Sequence, residues 1–365
     1  MGTGNLFNVY SQLSTRLLSS QLSTINYQLT LHFLSLYVQN LSPDRIFSVS
    51  DSQEFEKLSL EIFNYQVSNC GVYGSFVSNL GIDIQGVKEL NAIPFLPIEF
   101  FKTQKIICSN EEVDIIFSSS GTTGLSQSRH FVHDIEFYIK SYRTAFNLFY
   151  GDISKYTVLA LLPSYLEREG SSLIYMVNDL IGLSKHQKSG YFLDNHDLLK
   201  QTLDELKATE TPTILIGVTY ALLDFAESHS IEFPELIVME TGGMKGKRKE
   251  ILRTELHEAL GTGFGVQQIH SEYGMTELLS QGYSKGSGIF QTPPWMKVRI
   301  RDTNDPLTLL GNESTGGINI IDLANIHSCS FIATQDLGKC YADGSFEILG
   351  RFDHSDIRGC NLLVQ

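Results

Sequence analysis

Apolar residues recur at helical spacing in the first part of the chain. A leucine-rich pattern of this kind covers residues 9 to about 40. Asp51 and Glu54 then have the spacing of an N-terminal helix cap and its reciprocal partner. The residues that follow at helical intervals are Phe55, Leu58, Ile62 and Phe63. The pattern predicts that the first hundred residues are mostly helical.

From Val113 onward, short apolar runs alternate with helical patterns. The run Val113–Phe117 predicts a strand, and the apolar face of a helix follows at Ile135, Tyr138, Ile139, Tyr142 and Phe146. Further strands are predicted at 157–162, 213–218 and 235–239, and further helices near 171–182, 196–207 and 247–260. Strands that alternate with helices indicate an α/β fold, in which a parallel sheet is covered by helices on both faces.

After about residue 290 the helical periodicity fades. Short strands are predicted at 297–301, 317–322 and 345–349, separated by Gly, Asp and Asn. This pattern indicates a small antiparallel β appendage to the parallel sheet. The chain shows no internal repeat and no long linker, so we expect its boundaries to be joints between subdomains.

Composition narrows the range of partners. Lys and Arg total 27 against 41 Asp and Glu, which gives a formal net charge of −14 and argues against nucleic acid as a partner. Apolar stretches such as 93–101 and 158–162 are far shorter than the roughly 20 residues of a membrane span. The first residues lack the charged and apolar regions of a signal peptide. We therefore expect a cytoplasmic protein without a membrane span.

The chain contains five cysteines, an odd number, at wide spacing. They are Cys70, Cys108, Cys329, Cys340 and Cys360. No two of them form a C-x-x-C pair, and no histidine stands at ligand spacing. We expect reduced thiols, neither a disulfide framework nor a zinc site.

A loop of small hydroxylated residues, S-S-S-G-T-T-G at 118–124, follows the strand at 113–117 and precedes the helix that begins near Ile135. Small residues allow backbone N–H groups to turn inward and the hydroxyls add donors, an arrangement that suits phosphate oxygens. The loop is not a Walker motif, because G-x-x-x-x-G-K-[ST] does not occur. It is either a triphosphate-binding loop or an ordinary connection.

A second motif, S-E-Y-G-M-T-E at 271–277, follows a strand-like run at 266–269. Tyr273 offers a flat face for a base, and Gly274 permits close approach of the backbone. The Thr276 hydroxyl can reach a phosphate oxygen and the Glu277 carboxylate can hold Mg²⁺. The alternative interpretation is a surface turn with a solvated glutamate.

Two further motifs lie downstream: T-Q-D at 334–336, and G-R-F-D at 350–353. Asp336 can accept hydrogen bonds from both hydroxyls of a ribose. Arg351 can neutralise a phosphate or contact the ribose from its other side. Each motif taken alone is more typical of a turn than of a binding site.

In this order the four motifs resemble those of the adenylate-forming superfamily, which includes acyl-CoA synthetases and luciferases. The resemblance covers roughly residues 90 to 359. Within the superfamily the chain is most similar to acyl-protein synthetases of the LuxE type, through 93–102, 162–168, 170–173, 241–245 and 358–360. The implied fold is the N-terminal domain of an adenylate-forming synthetase.

The sequence departs from the superfamily at two places. The Pro-Lys-Gly that follows the phosphate loop is replaced by L-S-Q-S-R at 125–129, so the loop lysine is absent and Arg129 is at best a partial substitute. Six residues follow Gly359, so we expect the C-terminal lid domain, with its catalytic lysine, to be absent or vestigial. The expected organisation is one LuxE-like domain at 1–350 and a truncated hinge and tail at 351–365.

The resemblance implies a role for each motif residue, with ATP and Mg²⁺ as cofactors. Thr276 would contact the α-phosphate and Glu277 would hold Mg²⁺, while Asp336 and Arg351 would bind the ribose. The residues implied to hold the β- and γ-phosphates are Ser119, Ser120, Gly121, Thr122, Thr123 and Gly124. Those implied to surround the adenine are Gly242, Gly243, Glu272, Tyr273 and Gly274.

The implied function is ATP-dependent activation of a fatty or other carboxylic acid to an acyl-adenylate, with release of pyrophosphate. The acyl group would then pass to a thiol, either Cys360 of the protein itself or that of an acceptor. Two alternatives remain: coenzyme A as the acceptor, and a degenerate protein that binds nucleotide without turnover. The H-E-x-x-H motif of zinc hydrolases does not occur, because His257-Glu258 lacks the second histidine.

Overall fold

The computed structural model describes residues 41–108, 112–119, 127–163, 170–193, 195–242 and 251–352. The chain forms two compact units, residues 1–48 and 49–365. In the first unit a short helix, α1 (Pro43–Phe47), begins after Ser42, whose side chain accepts a hydrogen bond from the Arg45 N–H. The helical pattern predicted at 9–40 lies outside the described residues.

The remaining elements belong to the second unit. Its α-helices are α2 (Ser52–Asn69), α3 (Gly71–Asn79), α4 (Phe100–Thr103), α5 (Ile135–Tyr150), α6 (Ser172–Ser184), α7 (His196–Ala208), α8 (Thr219–Ser228) and α9 (Arg253–Phe264). Its 3₁₀ helices are Ile84–Gly86, Leu90–Ala92, Ile153–Lys155 and Leu323–Asn325. Its first nine strands are β1 (Leu96–Pro97), β2 (Ile115–Ser118), β3 (Arg129–Val132), β4 (Thr157–Leu161), β5 (Gly190–Tyr191), β6 (Thr213–Val218), β7 (Ile237–Thr241), β8 (His270–Tyr273) and β9 (Gly282–Ser284). The later strands are β10 (Ile289–Phe290), β11 (Met296–Arg301), β12 (Leu309–Leu310), β13 (Thr315–Asp322), β14 (Phe331–Cys340) and β15 (Phe346–Arg351).

Helix α2 begins where the capping pattern predicts. The Asp51 carboxylate accepts hydrogen bonds from the N–H groups of Gln53 and Glu54, each at 2.9 Å. The Glu54 carboxylate accepts from the Ser50 N–H at 3.3 Å, one residue before the position that a capping box would use. The four apolar residues predicted to share one face of this helix are all buried, so its amphipathic pattern is confirmed.

The predicted parallel sheet is present. Strands β5, β4, β6, β7 and β8 pair in parallel in this order, and β9 adds an antiparallel edge. Every residue of β4 and β6 is buried, as expected for strands covered on both faces. Side chains of α5 and α6 meet one face around an apolar cavity of about 10 Å³, room for about one water, lined by residues such as Phe146, Met176 and Met239. Helices α8 and α9 cover the other face.

The antiparallel region is a seven-stranded sheet, in the order β10–β15–β14–β13–β11–β12, with β1 pairing in parallel with β14. Leu96 of β1 lies opposite Ile332 of β14. The Ile98 N–H donates to the Ala333 carbonyl at 3.0 Å. This pairing anchors the segment before α4 directly ahead of the T-Q-D motif.

The surroundings of the hydroxyl-rich loop differ from the prediction. The sequence indicates a strand, a loop and then a helix, but residues 119–128 connect two antiparallel strands, with Ile116 of β2 opposite Phe131 of β3. Helix α5 begins only after β3. A strand of four residues is too short to show a clear alternation of apolar and polar positions, so the sequence pattern does not reveal β3.

Two strands begin later than the sequence predicts. Strand β7 spans Ile237–Thr241 instead of 235–239, and β8 spans His270–Tyr273 instead of 266–269. Helix α9 ends at Gly265, which has φ +66°, and the Val266 N–H donates back to the Gly261 carbonyl at 3.1 Å. The end of the helix therefore uses the residues that were expected to begin the strand.

No helix among the described residues combines the length and the apolar composition needed to cross a membrane.

A buried carboxylate joins the two sheets. Asp322, at the end of β13, accepts hydrogen bonds from the N–H groups of Leu279 and Ser280 at 2.9 and 3.0 Å, and from the Ser280 hydroxyl at 2.6 Å. Leu279 and Ser280 belong to the connection between β8 and β9. The Trp295 indole N–H donates to the same hydroxyl at 3.0 Å. The segment after the second motif is therefore held against the antiparallel sheet.

Gln66 of α2 makes a second buried polar connection. Its amide nitrogen donates to the carbonyls of Asn325 and Ile326 at 2.9 and 3.0 Å, and to the Ser330 hydroxyl at 3.1 Å. Its amide oxygen accepts from the Ser330 N–H at 2.9 Å. Gln66 thus holds the 3₁₀ helix Leu323–Asn325 from the side of α2.

Replacing Gln66 tests this connection. We expect Gln66→Leu to lower the free energy of unfolding by about 2 to 4 kcal/mol, because buried backbone groups lose their partners. The measurement is urea unfolding, with Asn64→Ala as the control, since the Asn64 amide bonds only the Leu60 carbonyl of its own helix. Equal losses in the two variants would contradict the prediction.

Candidate functional site

The candidate site lies at the carboxyl edge of the parallel sheet, where binding sites of open α/β sheets are found. Thr241 ends β7 and Glu272 lies in β8, directly opposite it. The Thr241 hydroxyl donates to the Glu272 carboxylate at 2.5 Å. Gly242 follows Thr241 with φ +67° and is exposed, so the chain leaves the sheet here in a conformation that favours glycine.

Tyr273 connects this edge to the antiparallel sheet. Its hydroxyl donates to the Asp336 carboxylate at 2.7 Å, and the Arg351 Nε donates to the other oxygen of that carboxylate at 3.0 Å. Asp336 and Arg351 are register partners on β14 and β15. Burial, followed by the Asp336 charge, raises the pKa of Tyr273, which keeps its hydroxyl a donor. The structure thus brings together residues from three of the sequence motifs.

The turn after β8 requires glycine. A Cβ at Gly274 would lie 2.4 Å from a Glu272 carboxylate oxygen. The backbone beyond it is held from two sides, because the Thr276 carbonyl lies 3.0 Å from His130 Nδ1 and the Glu277 carbonyl accepts from the Asn325 amide at 2.8 Å. The backbone of Thr276 and Glu277 is therefore fixed relative to the β2–β3 hairpin and to the 3₁₀ helix Leu323–Asn325.

Glu277 is buried, with 6% of its surface exposed. The alternative of a solvated glutamate on a surface turn is wrong for this residue. Burial raises its pKa, while a hydrogen bond from Ser128 and the charges of Arg351 and Lys102 lower it. Burial thus leaves the ionised Glu277 carboxylate without most of its hydration, and nearby positive charge compensates for part of that loss.

Of the loop residues predicted to bind phosphate, 119–124, the structure describes Ser119. Its hydroxyl accepts from the Ser128 N–H at 3.0 Å, and its own N–H donates to the Ser128 carbonyl at 3.1 Å. Since Ser128 also bonds Glu277, the loop begins and ends beside the predicted metal ligand. The other predicted site residues, Ser120, Gly121, Thr122, Thr123, Gly124, Gly243 and Cys360, lie outside the described residues.

His130 is a site residue that the sequence analysis missed. It is 1% exposed, and burial lowers its pKa to about 4, so its ring is neutral at pH 7. A neutral ring can donate to the Thr276 carbonyl only if Nδ1 carries the proton. Nε2 is then an acceptor, and it has no hydrogen-bond partner within the part of the chain that the structure describes. A histidine inside an unpredicted strand gives no signal in the sequence.

The segment that contains α4, within residues 93–102, contacts the site at several points. The Glu99 carboxylate accepts from the Gln335 amide at 2.6 Å, next to Asp336. Phe101 packs edge-on against His130, with 5.7 Å between ring centroids. Lys102 lies close enough to Glu277 to lower its pKa. By contrast, Arg129, considered as a substitute for the loop lysine, is exposed and its guanidinium lies over the Phe131 ring.

The prediction of reduced thiols is confirmed for the four cysteines that can be described. Cys70, Cys108, Cys329 and Cys340 are free and buried. Among residues 41–352 as described, no group of three or more His, Cys, Asp or Glu side chains could hold a metal ion by itself.

The donor set at the edge of the sheet fits ATP and Mg²⁺. Mg²⁺ is commonly bound through one or two carboxylates together with substrate phosphates, so a single protein carboxylate such as Glu277 agrees with the chemistry of this ion. Gly274 has no side chain, and a Cβ there would occupy the position next to the Glu272 carboxylate. Tyr273 and Arg351 each donate a hydrogen bond to one oxygen of the Asp336 carboxylate. Because a carboxylate oxygen can accept more than one hydrogen bond, Asp336 can still accept from a ligand.

Comparison with known proteins identifies relatives of this chain. The family model described as "Acyl-protein synthetase, LuxE" matches residues 41–365. A "Long-chain-fatty-acid--luciferin-component ligase" of Photorhabdus luminescens is 33% identical over 87 residues, which are 23% of this chain and 74% of the relative. The family match confirms the resemblance to acyl-protein synthetases, and the predicted enzyme class is that of the family.

Solved structures share the fold. ATP-bound MatB from Rhodopseudomonas palustris matches with a TM-score of 0.50 and 18% identity, over 67% of this chain and 49% of MatB. An open form of 2-hydroxyisobutyryl-CoA ligase, in complex with 2-HIB-AMP and CoA, matches with a TM-score of 0.59 and 11% identity, over 84% of this chain and 77% of the ligase. The chain thus spans about half the length of MatB. The predicted α/β fold is confirmed.

The buried His130 makes stability depend on pH. Its folded-state pKa of about 4 lies below its ordinary value of 6.5, so the unfolded chain binds a proton more readily between these values. Stability from this residue is complete above pH 6.5 and is lost as the pH falls towards 4, by on the order of 3 kcal/mol. His130→Asn keeps a donor for the Thr276 carbonyl but does not titrate.

The measurement is urea unfolding of the wild-type and His130→Asn proteins from pH 4 to 7.5. We expect the wild-type protein to lose stability relative to the variant as the pH falls. His186→Asn, at a half-buried histidine outside the site, is the control. A stability difference between wild type and His130→Asn that is constant over this range would contradict the assigned protonation.

Proposed function

This chain belongs to the acyl-protein synthetase family LuxE, and from that premise we propose that it uses ATP to activate a fatty or other carboxylic acid. The product would be an acyl-adenylate, formed with release of pyrophosphate, and the acyl group would then pass to a thiol. The observation that carries this proposal is the convergence of Tyr273, Glu277, Asp336 and Arg351 at one edge of the sheet.

The reaction explains why these groups converge. A carboxylate oxygen attacks the α-phosphorus of ATP, the new O–P bond forms, and the bond to pyrophosphate breaks. Two anions must approach each other, so catalysis depends on positioning and on neutralisation of charge. Arg351 and Lys102, whose charges already act on Glu277, supply positive potential at this position in a chain that lacks the loop lysine.

The adenosine half of the site would be formed by strand ends. Asp336 would accept the ribose hydroxyls, and Tyr273 and Arg351 hold its carboxylate in one orientation. Gly242, Glu272 and Gly274 would lie along the adenine, where the absence of a side chain at two of the three positions permits close approach. A preoriented carboxylate loses little freedom on binding, which favours affinity for the nucleotide.

The phosphate half would be formed by the loop and the turn. Ser119 and the residues after it would bind the β- and γ-phosphates, and Thr276 the α-phosphate. Mg²⁺, bound by Glu277, would neutralise charge on the phosphates during transfer. His130 holds the Thr276 carbonyl and Asn325 holds the Glu277 carbonyl, so the backbone that carries both side chains is fixed before the nucleotide binds.

The relatives support the substrates of this proposal. MatB was solved with ATP, 2-hydroxyisobutyryl-CoA ligase with an acyl-AMP and CoA, and the Photorhabdus relative is named for a long-chain fatty acid. A fatty acid is therefore the acid we propose first. The two thiol acceptors to be separated are coenzyme A and a cysteine of a protein.

Burial of the described cysteines favours Cys360 as a protein acceptor. Cys70, Cys108, Cys329 and Cys340 are each at most 6% exposed. Burial raises the pKa of Cys108, Cys329 and Cys340, so their reactive thiolate is scarce at neutral pH. The hydrogen bond with Cys108 lowers the pKa of Cys70 to about 7, but this thiol is fully buried.

Removal of one charge tests the proposed metal ligand. We expect Glu277→Gln to lower the rate of pyrophosphate release about 100-fold or more, because the amide keeps the shape of the side chain but binds Mg²⁺ poorly. The assay contains ATP, Mg²⁺ and acids of increasing chain length, and omits the acid as a blank. Calorimetry with AMP, which needs no metal, should give an affinity close to that of the wild-type protein.

Glu347→Gln is the matched control for Glu277→Gln, since its carboxylate contacts Tyr341 on the antiparallel sheet. This control should retain the wild-type rate. Acid-dependent release by Glu277→Gln at the wild-type rate would exclude the metal role. If the wild-type protein binds nucleotide but releases no pyrophosphate with any acid, the alternative of a nucleotide-binding protein without turnover is favoured.

The thiol step is tested at Cys360. We expect incubation with ATP, Mg²⁺ and a fatty acid to add an acyl mass that hydroxylamine removes, and Cys360→Ser to release pyrophosphate yet carry no thioester. The reason is that adenylation and transfer use different groups. Mass spectrometry measures the load, with Cys340→Ser as the control. A full thioester load on Cys360→Ser would exclude this acceptor, and acyl transfer to added coenzyme A would favour the coenzyme A alternative.

A further inference from the structure

Behind the candidate site, on the opposite face of the parallel sheet, an ion pair between the buried Glu240 and the half-buried Arg253 connects α9 to two strands. The Arg253 guanidinium nitrogen Nη1 donates to the Glu240 carboxylate at 2.7 Å and to the Ser271 hydroxyl at 3.2 Å. The Thr219 hydroxyl donates to the other oxygen of Glu240 at 3.2 Å. Glu240 is 5% exposed, so these contacts replace its lost hydration.

The strands are joined on both faces at neighbouring residues. Glu240 lies opposite Ser271, and the next pair along the strands is Thr241 opposite Glu272. Successive side chains of a strand point to opposite faces. Arg253 therefore connects β7 and β8 on one face, and the Thr241 to Glu272 hydrogen bond connects them one residue later on the other.

Arg253 stands at an electrostatically unfavourable place in its helix. It is the first residue of α9, where the helix dipole disfavours a positive charge. Its guanidinium lies 5.2 Å from the centre of the Phe290 ring. A Cβ at Gly288, which has φ +68°, would come within 2.7 Å of the Arg253 side chain. The surroundings thus leave room for this arginine and direct it towards Glu240.

The ion pair is charged at neutral pH. Burial raises the pKa of Glu240, but three neighbours outweigh it, so that the pKa is lowered overall. They are His257, whose Nε2 lies 3.7 Å from the carboxylate, Arg253 and Ser271. A pair of this kind holds a fixed geometry, and the loss of one partner leaves an uncompensated charge.

We propose that Arg253 is a positioning residue for the adenosine half of the site, an inference that rests on the proposed function. By holding Glu240 and Ser271, it fixes the ends of β7 and β8, from which Gly242, Glu272 and Tyr273 follow. The phosphate half depends on other contacts, from His130, Ser128 and Asn325. Loss of Arg253 should therefore weaken binding of adenosine groups and leave binding of phosphate groups unchanged.

Two ligands separate these effects, because AMP needs the adenosine half and reaches the phosphate half only through its α-phosphate, whereas pyrophosphate needs the phosphate half alone. Calorimetry gives the dissociation constants of AMP, and of inorganic pyrophosphate in the presence of Mg²⁺. We expect Arg253→Met to weaken AMP binding on the order of tenfold to a hundredfold, as for a small misplacement of binding groups, and to change pyrophosphate binding less than about twofold. Arg253→Lys, which keeps the charge and one donor, should recover part of the AMP affinity.

Two further variants control for misfolding and for the loss of an ion pair elsewhere in the protein. The double variant Glu240→Gln with Arg253→Met removes both charges of the pair, so it remains informative if Arg253→Met alone fails to fold. Arg143→Met is the matched control, because Arg143 makes a bidentate ion pair with Asp179 at 2.7 and 2.8 Å between α5 and α6, away from the site. It should bind AMP as the wild-type protein does.

The outcomes are distinct. Unchanged AMP binding in the Arg253 variants, or equal loss of AMP and pyrophosphate binding, would overturn the positioning role, since the second result indicates a general loss of structure. If the wild-type protein binds AMP but releases no pyrophosphate with any acid, the proposed function is refuted. AMP binding by the Arg253 variants still tests the positioning role in that case. Selective loss of AMP binding in the variants supports the positioning role.

Discussion

The carboxylate of Asp322 accepts hydrogen bonds from two backbone N–H groups and a hydroxyl of the segment that follows the site turn. Asp322 is fully buried, and burial raises its pKa to about 6 despite these bonds. Because Asp322 ends β13 and its partners connect β8 to β9, this cluster fixes the parallel sheet relative to the antiparallel sheet. The contact between Tyr273 and Asp336 depends on that relation.

The two halves of the candidate site depend on different parts of the fold. The adenosine half joins the ends of β7 and β8 to β14 and β15 through Asp336. The phosphate half joins the β2–β3 hairpin to the turn after β8 through His130 and Ser128. The two halves share only the short stretch from Glu272 to Glu277. A change that moves β3 can therefore alter the proposed phosphate contacts without disturbing Asp336.

The sequence predicts those features that depend on local patterns. The cap at Asp51, the strand at 213–218 and the helix at 196–207 follow from periodicity and capping, because neighbouring residues determine them. Strand β3 is too short to show a pattern, and β8 starts late because Gly265 ends the preceding helix. Local signals therefore define the elements better than their boundaries.

Contacts in the site are harder to predict. The Tyr273 hydroxyl and the Asp336 carboxylate are 63 residues apart in sequence, and the motifs indicate their chemistry but not their hydrogen bond. The burial of Glu277 follows from packing by α4 and β3, which its own neighbours in sequence do not reveal. His130 gave no signal at all. The residue types of the site could be predicted, but its electrostatics could not.

The close approach at Gly274 couples this turn to the neighbouring strand. Even a single added methyl group would displace the Glu272 carboxylate, and with it the hydrogen bond from Thr241. A substitution at position 274 would therefore alter a contact of β7, although residue 274 itself lies after the end of β8.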